Sequence, residues 1–177
     1  MTKNEIITAA ENSFNNLSQT CWGIDETLLL KQMENKWSAA ENVKHLIIST
    51  NFTTLAYRLP KFIVRLVAGK PNRPSRSYEE LKDKYYQKLA DGATASARFV
   101  PKPIEIKYSK QQLIDNWQTS TAGFIKALIK NTTEKDLDNY LARHPLLGRI
   151  TLRELCYFTI FHTEHHLLAI NKISTNQ

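Results

Sequence analysis

Thr151-Leu-Arg-Glu-Leu-Cys-Tyr-Phe-Thr-Ile-Phe-His-Thr-Glu-His-His-Leu-Leu-Ala-Ile170 contains neither Pro nor Gly. It opens with Thr151 and Glu154 at capping-box spacing, which predicts a helix from Thr151 to about Ile173. Positions four apart on a helix differ by about 40° around its axis, so His162 and His166 leave the same face. That face continues through Leu155, Thr159, Ala169 and Ile173, so both imidazoles point toward an apolar interior. Two imidazoles at i and i+4 are the simplest way for one helix to offer two ligands to one metal ion. Core histidines without a metal are the alternative reading of that spacing.

Three further stretches carry the same helical punctuation. Thr2 and Glu5 form a capping-box pair ahead of Ile6, Ala10, Phe14, Leu17 and Cys21. Ser38 and Glu41 precede Val43, Leu46, Ile47, Phe52 and Leu55, and Pro60 ends or kinks that segment. Ser109 and Gln112 precede Leu113, Trp117, Thr121, Phe124 and Leu128. Long amphipathic helices are thus predicted at roughly 3–21, 38–59, 109–130 and 151–173, each ~30 Å long at 1.5 Å per residue. Matched lengths of that kind pack as a four-helix bundle, an all-α fold in one domain spanning 1–177. The second and third helices are joined by a long crossover with shorter helical pieces after Pro60 and after Ser77. Residues 91–108 read as extended or irregular, and Asp136–Leu141 as a short piece before the loop His144-Pro-Leu-Leu-Gly148.

A 42% hydrophobic content supplies a core, yet no apolar run approaches the ~18 residues that span a bilayer. The first residues lack the pattern of a signal peptide, so a soluble, cytoplasmic protein without a membrane partner is expected. Cys21 and Cys156 lie far apart in apolar contexts and are expected as reduced, buried thiols. The net charge of +7 is concentrated: 13 of the 24 basic but 5 of the 17 acidic residues fall within 58–110. Arg58, Arg65, Arg73, Arg76 and Lys110 belong to this segment. No nucleic-acid-binding motif accompanies the charge, so a nucleic-acid partner is not expected. Tyr85 and Tyr86, read as exposed, together with apolar helix surface beyond one stripe, suggest a homodimer.

A metal site needs a third ligand. His45 lies two turns into a capped helix between Val43 and Leu46, where burial fits. His144 precedes Pro145 and reads as a turn or surface residue. His165 is about 100° round the helix from His166 and suits a helix edge. Glu164 points away from the His162/His166 face and makes a weak base. Three imidazoles would leave a coordination position open, the pattern of a catalytic site that binds water or a thiolate. No His-Glu-x-x-His, Gly-x-Ser-x-Gly or phosphate-loop motif is present.

Trp37-Ser-Ala-Ala-Glu41-Asn-Val-Lys-His45-Leu, followed at the far end by His144-Pro-Leu-Leu-Gly148-Arg-Ile-Thr151 and Phe161-His162-Thr-Glu-His-His166, resembles the two signatures of the DinB-like superfamily. The resemblance spans nearly the whole chain. It implies a bundle in up-down-down-up order, and one divalent metal, nickel or zinc, held by His45, His162 and His166. It also implies an enzyme acting on a small-molecule substrate. Some members of the superfamily transfer low-molecular-weight thiols such as bacillithiol, mycothiol or glutathione. A metal-dependent hydrolase, and a non-catalytic bundle that binds a protein or a small ligand, are the alternatives.

Overall fold

A computed structural model describes residues 1–34, 36–102 and 108–175. In chain order these form α1 (Lys3–Gly23), α2 (Glu26–Leu30), α3 (Ala39–Arg58), α4 (Lys61–Ala68), α5 (Tyr78–Ala90), α6 (Lys110–Asn131), α7 (Glu134–Asn139), strands β1 (Leu141–His144) and β2 (Gly148–Thr151), and α8 (Leu152–Thr175). The four expected long helices are α1, α3, α6 and α8, with ends within two residues of the predicted ones. The expected capping boxes close, Thr2 with Glu5, Ser38 with Glu41 and Ser109 with Gln112, and the helical piece after Ser77 opens with a box of its own, Ser77 with Glu80. At the head of α8 the Thr151 amide donates to Glu154 Oε2 at 2.8 Å, and the Glu154 amide donates to Thr151 Oγ1 at 3.1 Å. These bonds satisfy amides that the first helical turn leaves without a partner.

The long helices close into a ring, with α1 packed on α6 and α8, and α3 packed on the same two. Trp117, Tyr57, Phe124 and Phe161 are the largest side chains fully buried between them. Phe14 meets the edges of Trp117 at 5.4 Å and Phe124 at 5.9 Å, the perpendicular arrangement that aromatic quadrupoles favour. The polar ends of these rings are also satisfied. Trp117 Nε1 donates to the Phe14 carbonyl, and the Tyr57 hydroxyl donates to the Leu152 carbonyl at 3.0 Å. Cys21 and Cys156 are buried free thiols, as expected. No described helix is long and apolar enough to cross a membrane.

Two expectations change. The segment after α7 is a β-hairpin, with Leu141 opposite Thr151 and His144 opposite Gly148. Its Pro145–Leu147 turn needs a positive φ where the second strand begins, which Gly148 supplies at 74°. Tyr85, read as an exposed aromatic, is 4% exposed. Its ring packs on Phe158 and Phe161 of α8 at 5.6 and 5.4 Å, because α5 lies across α8. One part of the ground for a homodimer is thereby removed. Within 91–108, residues 97–99 form a single 3-10 turn, and 103–107 lie outside the described residues.

The basic middle segment serves several separate anchoring contacts. Arg73 and Arg76 both reach Glu154, a carboxylate with no exposed surface. Lys110 caps the carbonyls of Trp22 and Ile24 at the end of α1, and Arg65 lies over the ring of Tyr140.

Candidate metal centre

The site forms where α3 and α8 face one another and the turn Ala97–Phe99 covers them. His45 comes from the second turn of α3, and His162 and His166 from successive turns of α8. All three are buried, at 4%, 5% and 7% exposure. Their Nε2 atoms converge: His162 Nε2 lies 3.1 Å from His45 Nε2 and 3.1 Å from His166 Nε2. The ligand-type atoms of the three side chains all fall within 4.8 Å of one another, so the group could hold a metal ion.

The remaining ring nitrogens fix how this cluster is protonated. His45 Nδ1 is 2.7 Å from the Phe99 carbonyl, which can only accept, so the proton sits on Nδ1. His166 Nδ1 is 2.7 Å from Asn42 Oδ1. Asn42 uses its amide Nδ2 on the carbonyls of Ser38 and Trp37, which turns Oδ1 toward the imidazole and makes it the acceptor. Two Nε2 lone pairs therefore face His162 Nε2, which can donate at most one proton. In the neutral triad His162 Nε2–H can bridge one 3.1 Å contact only, so at least one of the two is left without a hydrogen bond. A divalent cation resolves this conflict, since it takes all three lone pairs at once. Ligands roughly 2.0–2.1 Å from a common ion at tetrahedral or octahedral angles stand about 2.8–3.4 Å apart, which brackets the 3.1 Å contacts. The residues fit a divalent ion.

Burial keeps the cluster neutral. Desolvation pulls His162 and His166 well below the usual imidazole value, and the neighbouring imidazoles add to it. His45 is lowered by burial too, with the Phe99 carbonyl opposing. A neutral imidazole is the form that binds a metal. Aromatic rings wall the triad. Trp37 lies against His45 at 4.8 Å and stacks on His166 at 6.1 Å, and Phe158 stacks on His162 at 4.6 Å.

The other two histidines stay outside the cluster, as expected. His165 contacts the rings of Tyr85 and Tyr86 at the helix edge. Glu164 accepts a hydrogen bond from the Tyr78 hydroxyl and is directed away from the triad. His144, expected in a turn or at the surface, instead ends β1 just before the turn, and its ring is turned inward. It packs 4.1 Å from Phe158, and its Nδ1 accepts the amides of Leu146 and Leu147. Burial lowers its value to about 4, so it is neutral near pH 7 with the proton on Nε2. His144 lines the cavity that opens over the triad, a place that the dipeptide His144-Pro145 gives no hint of. Asn42 and Phe99 also escape sequence reasoning. Asn42 alone has a local signal, three residues before His45 on a capped helix.

No curated protein and no solved structure matches the chain. The model of the DinB superfamily matches residues 9–170, which takes in α3, the hairpin and every residue of the triad. The chain belongs to the DinB superfamily.

Proposed function

We propose that the protein is a metal-dependent enzyme whose centre is one nickel or zinc ion held by His45, His162 and His166. We propose further that it transfers a low-molecular-weight thiol to a small-molecule acceptor. The observation that carries the reading is the convergence of three Nε2 atoms whose lone pairs cannot all be satisfied by one another. Superfamily membership supports it. When bound, the ion supplies Lewis acidity that favours the thiolate form of a thiol.

The chain's own residues prepare that chemistry. The Phe99 carbonyl and Asn42 hold His45 and His166 in the tautomer whose Nε2 is free to coordinate. Trp37 and Phe158 shield the triad and lower the local dielectric. A cavity of about 1000 Å³ opens over the triad and supplies room for a substrate. No Asp or Glu is among the described residues that line it, which favours a nucleophile made by the metal over one made by a carboxylate base.

The architecture proposed with this function is an up-down-down-up four-helix bundle. Contacts along the helices support it. The N-terminal amine meets Tyr157 and Ser13 meets the Ile160 carbonyl, as for parallel α1 and α8. Lys3 reaches Ile129 and Thr132 while Lys110 reaches Ile24, as for antiparallel α1 and α6. His45 faces His162 while Tyr57 faces Leu152, as for antiparallel α3 and α8.

The test is thiol consumption against an alkylating acceptor, with bacillithiol, mycothiol and glutathione each supplied. Metal-loaded protein should turn over at least one thiol, and metal-stripped protein and His162→Ala should not. Ester hydrolysis that depends on metal but not on thiol would move the assignment to the hydrolase. Absence of any metal-dependent turnover would leave the non-catalytic reading.

A further inference from the structure

The cavity over the triad is larger than a metal site requires. Its volume of about 1000 Å³ stands at the upper end of ligand pockets, which run from ~300 to ~1,000 Å³. It is also long. His45, Ser49, Phe52, Ala56 and Leu59 follow one another along the α3 wall, and fourteen residues of helix span ~21 Å. Val64 and Ala68 of α4, with Leu141 and Leu146 of the hairpin, also line it.

Beyond the triad the α3 wall is nearly all hydrocarbon. The Thr53 hydroxyl is already spent on the Thr50 carbonyl. Phe52, Leu55 and Leu59 keep 41%, 48% and 40% of their surface exposed, although each lines the cavity. Large apolar side chains left wet along one pocket mark a surface that a ligand covers.

Charge narrows the ligand further. The charged side chains among the described lining residues are Lys36, Arg143 and Lys172, all cationic. Lys36 neighbours Trp37, which stacks on the triad. Lys172 follows His166 by six residues on α8, under two turns and ~9 Å along the axis, and lines the same cavity, so it stands at the triad end. Arg143 lies near α4, where its Nε is held by the Val67 carbonyl. A cationic ligand would be repelled at every charged position, whereas an anionic group meets two lysines beside the triad.

We propose that this cavity takes a long apolar molecule bearing one anionic group, of the fatty-carboxylate class, lying along α3 with its anionic end toward Lys36 and Lys172. It rests on the metal-enzyme reading only in taking this cavity as the acceptor site.

Dodecanoate, kept below its micelle concentration, tests the proposal by isothermal titration calorimetry on the zinc-supplemented full chain. Butanoate and dodecyltrimethylammonium serve as comparison probes. Dodecanoate should bind one per chain, at least tenfold more tightly than either. Ala56→Trp, which fills the middle of the cavity from α3, should weaken it at least tenfold. Val67→Trp fills the cavity from α4 and carries the test if Ala56→Trp loses its helical circular dichroism. Equal affinity for dodecyltrimethylammonium, or unchanged dodecanoate affinity in the folded tryptophan variants, overturns the proposal. Zinc content of the same samples reports separately on the metal reading. Dodecanoate bound without zinc removes that reading and keeps this one, and zinc bound without dodecanoate does the reverse.

Discussion

Replacing Glu154 by Gln should cost the protein more stability than any other single-atom change at the head of α8. The carboxylate has no exposed surface and accepts from Arg73 Nη1 at 2.7 Å, Arg73 Nη2 at 2.8 Å, the Arg76 amide at 2.8 Å and the Thr151 amide at 2.8 Å. Burial pushes its carboxyl up, but the hydrogen bonds from Arg73, Arg76 and Thr151 together outweigh it and hold the group below its usual value. Glutamine keeps the shape and one acceptor, but turns an N–H toward donors and removes the charge. Breaking a fully buried pair costs about 3–5 kcal/mol. Arg73 and Arg76 keep 29% and 27% of their side chains exposed and can rehydrate, so ~2–3 kcal/mol is expected. For a chain of this size that lowers Tm by roughly 4–12 °C. Urea unfolding followed by circular dichroism at pH 7 measures it. The sign of the pH dependence follows from the depressed value. The contribution is complete above the unfolded carboxyl value of about 4.3 and fades as pH falls below it, so the loss on E154Q should shrink toward pH 2. A loss below about 0.5 kcal/mol at pH 7, the range of ordinary surface changes, would refute the reasoning.

Asn42→Ala leaves the three imidazoles in place but frees the His166 ring, and should weaken zinc about 10–100-fold in a chelator competition. Metal binding should fall with acid, since protons compete for Nε2. Burial holds all three imidazoles below their usual value, so the fall should begin below pH ~6.5, and a midpoint above 7 would contradict the geometry. Gly148→Ala forces a side chain to φ 74° and should destabilise the hairpin by about 1–2 kcal/mol, read as a lower Tm.

The helical frame was legible because its punctuation is chemical. Ser or Thr three residues before Glu or Gln satisfies orphan amides where a helix begins, and the pairs that open with Thr2, Ser38, Ser77 and Ser109 all close. Thr133 and Asp136 cap α7 in the same way, with Asp in the place where the pattern carries Glu or Gln. The hairpin was not legible, because four-residue strands around His144-Pro-Leu-Leu-Gly148 are too short to display a period of two. Spacing along one helix brought His162 and His166 together, and the family resemblance singled out His45. The partners that set their tautomers, Phe99 and Asn42, depend on how α3 meets α8 and the 97–99 turn, which no local pattern encodes. Tyr85 failed for the same reason: a polar helix by composition hid the face that α8 covers.

Metal stoichiometry is the most direct test of the central claim. The protein, purified without a histidine tag and supplemented with zinc or nickel, should carry one equivalent by inductively coupled plasma mass spectrometry. His45→Ala, His162→Ala and His166→Ala should each lose most of it, whereas His144→Ala should keep it. Full occupancy in both His45→Ala and His166→Ala, or an empty wild-type protein after supplementation, would contradict the account and return the triad to the role of packed core histidines.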